Sequence, residues 1–238
     1  MIDTSKKLAT LATLERKRSA GEDPCTTAFF QYSVTSDLAA TAYLSGDSSE
    51  LQKWALEAID SVDFYLFGNW REVQRTDEGV IDPDWFFSNG TNWVRPFLAG
   101  ISWASVLGQW DRVDKLMEFP SNDISPDPGG PGAARFCVGL ADWWRSQDSV
   151  DWLAVSKEIR GRDKKDFALR CKVFDAVDKM DVKVTATTFG KYFDYWFTNV
   201  KLCPEVLADA LVFPLHLAKR EGLEIDLAEN LLVQIPHL

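Results

Sequence analysis

The sequence predicts an all-α fold of stacked antiparallel helical hairpins, an irregular, solenoid-like single domain over residues 1–238. Three observations predict it. Apolar residues recur at the three-and-four spacing of a helix face, as in Leu51, Trp54, Ala55, Ala58, Ile59, Val62 and Leu66. Helical stretches are joined by short polar breaks at Ala42–Asp47, Ser105–Trp110 and Trp143–Asp148, the kind that folds one helix back on the next. Strand signals are thin: Val182–Thr188 alternates and is β-branched, and 224–235 has room for a short extended piece, but neither has a partner run. The breaks lie 62 and then 38 residues apart, too irregular for a repeat of constant period.

Taken in order, helices are expected near 4–18 and 25–45, and a third starts at Asp47. Asp47 with Glu50 three residues on forms a capping box, and Gly68 closes that helix. Over 93–107 the apolar residues occupy more than one side: Trp93, Phe97, Ile101 and Ala104 share a face while Val94, Leu98, Trp103 and Val106 spread around the rest. Such a helix sits centrally. Further helices fall near 111–118, 133–146, 149–160 and 163–178. An aromatic stripe follows, Phe189, Tyr192, Phe193, Trp196 and Phe197 with Val200, which reads as core. The final helix, 205–221, is interrupted by Pro214, which removes a backbone donor near Phe213. Turn residues make loops of Arg71–Asn92 and of Pro120–Gly132, and the second is where the domain would divide if it has two parts.

The net charge of −10 disfavours a general nucleic-acid binder, which needs clustered Lys and Arg. No apolar run approaches the roughly 20 residues of a membrane helix. The charge is unevenly spread. Residues 1–18 hold five basic and two acidic groups, 19–156 hold eight and twenty-one, and 157–238 hold thirteen of each. The acidic excess therefore belongs to the middle section, where it is either a solvated face or a surface complementary to a basic partner. The basic run from Lys157 to Lys172 is punctuated by Glu158, Asp163 and Asp166, so helix-surface ion pairing accounts for most of it.

Chemistry finds few handles. His216 and His237 are the two histidines; no Cys-x-x-Cys or Glu-x-x-His spacing is present, and no metal or cofactor is expected. His216 sits among Phe213, Leu215 and Leu217, as a semi-buried core histidine would. Cys25, Cys137, Cys171 and Cys203 lie in apolar helical stretches, which suits buried thiols and, with no secretion signal, a reducing cytoplasm. No nucleophile elbow places a Ser or Cys beside a histidine, and the glycines at 129–132 lack the Lys-Ser/Thr of a phosphate cradle. The enzyme reading that survives is glycosidase-like, with Asp82, Asp84 and Trp85 as its first place to look.

The most distinctive segment is Leu211-Val212-Phe213-Pro214-Leu215-His216-Leu217-Ala218-Lys219-Arg220-Glu221-Gly222-Leu223-Glu224-Ile225-Asp226, followed at the end by Ile235-Pro236-His237-Leu238. A helix closing in Ala-Lys-Arg-Glu-Gly-Leu before a short tail resembles the end of the bacterial immunity protein 49 family of polymorphic-toxin systems. Phe97-Leu98-Ala99-Gly100 through Leu107-Gly108-Gln109-Trp110 is similar to that family's central hairpin. The resemblance, over about half the chain, implies an all-α cytoplasmic protein that binds and neutralises a cognate toxin by occlusion, without catalysis.

The leading expectation is thus a protein-binding protein of the immunity type, with a basic toxin as partner and neither nucleic acid nor membrane. Its expected contacts are Asp77, Glu78, Asp82, Asp84 and Trp85, with Asp123 and Asp127 second. Trp85 would anchor and the carboxylates would set partner choice. The alternative is a generic helical-repeat adaptor whose groove between hairpins receives a peptide or a helix.

Overall fold

The structure, a computed structural model, describes residues 3–22, 24–68, 75–76, 79–80, 93–120, 132–146, 150–160, 164–199 and 209–225. Ten helices are present among the described residues. They are α1 (Thr4–Ser19), α2 (Pro24–Ser45), α3 (Ser48–Phe67), α4 (Val94–Val106), α5 (Trp110–Met117), α6 (Gly132–Ser146), α7 (Trp152–Glu158), α8 (Lys164–Asp178), α9 (Val182–Asn199) and α10 (Asp209–Arg220). A two-residue antiparallel ladder, β1 (Arg75–Thr76) with β2 (Gly79–Val80), places Arg75 opposite Val80 inside the stretch expected to be loop. The fold is all-α.

Helix boundaries follow local chemistry. The Asp47 side chain accepts from the Glu50 amide and opens α3, as its capping signature predicts. Asp3 and Asp151 do the same for α1 and α7. The Asp151 cap also explains why α7 is shorter than the expected 149–160: Val150 and Asp151 precede the helix, and Ile159 is already extended. Val182–Thr188 is helix, not strand. Asp181 accepts from the Val184 amide to start α9, and the hydroxyls of Thr187 and Thr188 donate to carbonyls one turn back, so the β-branched run is satisfied within a helix. Glu224 and Ile225 are irregular; the rest of 224–235 lies outside the described residues.

Packing runs pairwise along the chain. α2 folds onto α3 through Gly46, whose φ of +73° lets the chain reverse, with the Asp47 amide bonded to the Ala42 carbonyl. The α3 positions read as one face, Leu51, Trp54, Ala55, Ala58, Ile59, Val62 and Leu66, are all buried. α1 lies along α2, fixed by Leu11, Leu14 and an ion pair from Lys7 to Asp37. α4 is central, as its many-sided apolar pattern predicts: it packs against α2, α3, α5, α6 and α10. At Gly100, α4 lies against Val62 of α3 and Leu116 of α5 too closely for a methyl group to fit without a shift.

The second half builds around Phe136, Trp152, Phe167 and Phe174, an aromatic cluster shared by α6, α7 and α8. α8 and α9 are tied by buried Asp166, which accepts from Arg170 Nε at 2.9 Å and from the Tyr192 hydroxyl at 2.6 Å. Phe189, Tyr192, Phe193 and Trp196 of the aromatic stripe are core; the Phe197 side chain and Val200 lie outside the described residues. α10 runs through Pro214 and returns to α4 and α8, so helices on both sides of 120–132 share one core.

Candidate functional site

The sequence-expected contacts Asp77, Glu78, Asp82, Asp84, Trp85, Asp123 and Asp127 lie outside the described residues, as do Cys203 and His237. The acid-rich helix that precedes them is described, and much of its charge is already engaged. Asp47 is a cap, Glu50 accepts from the Trp54 indole at 2.6 Å and pairs with Lys53, and Asp60 and Asp63 receive Arg112 and Lys115 from α5. The Asp60 contact and the neighbouring carboxylates hold the Arg112 guanidinium above its usual pKa. Of this part of the acidic middle, the distal end of α3 is thus an inter-helix clamp.

The structure forms a different concavity, an open groove of about 590 Å³ where α3, the α4–α5 turn and α10 meet. Each wall has a local cause. Capping by Asp47 fixes where α3 begins, placing Ser48 and Gln52 on one side. Gly108 makes the floor turn with φ +67°; nothing lies near where its Cβ would be, so glycine is required for backbone angle and not for space. The Gln109 amide closes that turn on the Ala104 carbonyl at 2.8 Å, and α5 then starts with Trp110.

Opposite stands α10, where His216, Lys219 and Arg220 fall three and four residues apart and so share a face. Their setting is aromatic. Trp110 and Trp144 stack at 6.3 Å with planes 13° apart, and Phe213 leans against both. The Arg220 guanidinium lies 4.6 Å from the Trp110 ring centre and 5.6 Å from that of Trp144. The Trp144 indole donates to Asp114 at 2.8 Å, which fixes the ring that backs this stack. A guanidinium held over indole faces loses rotamer freedom before any ligand arrives, a cation–π arrangement of roughly 0.5–1 kcal/mol at an exposed site.

The groove therefore presents two cations, an indole wall and a 7%-exposed imidazole, and no carboxylate lines it among the described residues. The Ser105 hydroxyl is spent on the Ser102 carbonyl at 2.7 Å. Such a set is chemically suited to anionic and aromatic groups. His216, read from sequence as a core histidine, is indeed buried, but it also borders the groove. The site is not legible in the sequence because its residues come from four separate elements; the one local signal is the basic last turn of α10, Lys219 and Arg220.

Cys25, Cys137 and Cys171 are buried, as expected from their apolar surroundings. Burial pushes the Cys171 thiol up to about 12 and raises that of Cys137. Tyr65 is raised by burial, and by Cys25 and Tyr32 beside it. No group of three or more His, Cys, Asp or Glu able to hold a metal converges among the described residues, and none of their helices is long and apolar enough to cross a membrane. In comparison with known proteins, no family model, no curated protein and no solved structure matches this chain.

Proposed function

We propose that this chain is a helical scaffold that binds a protein partner by shape and charge, without catalysis, acting in the cytoplasm. The observation that carries this reading is the open groove between α3, the α4–α5 turn and α10, where Arg220 is held over Trp110 beside Lys219. Buried, reduced thiols suit that compartment.

The resemblance of the α4–α5 and α10 segments to the immunity protein 49 family makes a bacterial toxin the partner to test first. In that setting Asp77, Glu78, Asp82, Asp84, Asp123 and Asp127 steer a basic partner, with Trp85 as anchor. The experiment is co-purification of the full chain with the product of the adjacent gene, followed by affinity measurement across salt. Retention of that protein at stoichiometric level supports the reading; a neighbour unrelated to toxins and nothing retained would end the immunity assignment. A steep fall in affinity with salt would favour a charge-driven contact, through these acidic residues or the groove's two cations, while weak dependence would favour the indole wall alone.

A further inference from the structure

We infer that the groove between α3, the α4–α5 turn and α10 takes an acidic, aromatic-bearing segment of a protein partner, a carboxylate on Arg220 and Lys219 and an apolar ring against Trp110. The inference rests on the protein-binding reading and names the chemistry of what enters. Charge complementarity carries it. In a protein with net charge −10, whose residues 19–156 hold twenty-one acidic groups against eight basic ones, this concavity is lined by cations and by no carboxylate among the described residues.

Arg220 is also aimed. Its guanidinium is stacked over Trp110 and Trp144, and its ion pair with Glu221 is long, 3.7 Å, leaving its planar donors suited to a bidentate carboxylate. Both cations stand in the last turn of α10, where the helix dipole's negative end stabilises them as charged groups. Two cations match a short run of carboxylates; a polyanion such as nucleic acid needs a longer basic track and would meet the repulsion of the acidic remainder. Trp and Arg together in one recess are the residue types that concentrate interface energy.

The test uses the full chain and a short capped peptide of glutamate and serine with one central phenylalanine. The indole N–H NMR signals of Trp110 and Trp144, assigned with Trp110→Phe and Trp144→Phe, report occupancy. The glutamate peptide should move both signals saturably, less so as salt is raised, while the lysine-for-glutamate peptide should leave them in place. Lys219→Glu with Arg220→Glu should weaken the glutamate peptide by about tenfold or more, and Lys219→Glu alone, at an exposed position, should weaken it in the same direction. Equal shifts from both peptides, shifts from neither, or affinity untouched by charge reversal would overturn the inference. So would tighter binding of a single-stranded oligothymidylate, or a concentration-dependent shift without peptide, which would put a second copy in the groove. A co-purified partner retained by the charge-reversed variant preserves the protein-binding reading and removes this one; an acidic-peptide shift with no partner retained keeps this one and ends the immunity assignment.

Discussion

At Gly100 an added Cβ would meet Val62 Cγ1 at 2.9 Å and Leu116 Cδ1 at 3.1 Å. Val62 is β-branched and on a helix, so it has one good rotamer and little room to give. Ala would gain roughly 1 kcal/mol of helix propensity but cost about 1–3 kcal/mol in overpacking. Gly100→Ala is therefore expected to lower the urea midpoint, whereas Gly190→Ala in α9, where nothing lies near the new methyl, should raise it, with a gain in stability of up to about 1 kcal/mol. A second prediction concerns alkali. Because the folded state raises the Cys171 thiol from 9.0 to about 12, it favours the neutral form, and the resulting stability is complete below about pH 9 and lost as pH rises toward 12. Raised Cys137 and Tyr65 act in the same direction. Thermal midpoints measured from pH 7 upward should hold until about pH 9 and then fall; a flat profile to pH 11 would contradict the burial of these groups. At this scale sequence reading is uneven. Trp54, Trp93 and Trp196 are core, as their stripes imply, but the pairing of Arg220 with Trp110 joins residues half the chain apart, and no short-range spacing encodes a contact of that kind.

Helices were legible because their faces and caps are local. The Leu51–Leu66 pattern, the Asp47 cap and the tight reversals at Gly46 and Gly108 each depend on residues within a few positions of one another. The alternation of Val182–Thr188 misleads because Val182 and Val184 remain largely exposed in the first turns of α9, so their spacing reports no buried face. What decides that segment is the Asp181 cap and the bond from the Thr185 hydroxyl to the Ala176 carbonyl on α8. Asp181→Ala should cost about 0.5–2 kcal/mol, as should Asp47→Ala, and the two should add because their sites are remote. The tie between α8 and α9 is stronger. Asp166→Ala removes the acceptor of both Arg170 and Tyr192 and should cost more than either cap, whereas Tyr192→Phe removes one donor and should cost about 0.5–3 kcal/mol. Chemical denaturation of the four variants checks the order.

For the molecule as a whole, α10 is the closing piece. It buries Val212, Phe213, Leu215, Leu217 and Ala218 against α4, α8 and the Trp110–Trp144 pair. Its four larger side chains account for about 6–12 kcal/mol of burial, which is comparable with the entire stability of about 5–15 kcal/mol of an ordinary domain. A chain ending before Asp209 is expected to lose its cooperative thermal transition and to bind a hydrophobic dye; a sharp transition retained would show that α1–α9 fold alone. The same return of α10 to α4 has a consequence for biosynthesis. Roughly a hundred residues separate the two helices, so at about 5–20 residues per second a nascent chain carries the uncovered side of α4 for about 5–20 s before its cover is made. Ribosome-associated chaperones should find their binding window on this protein there, and slowing translation between the two helices should lengthen it.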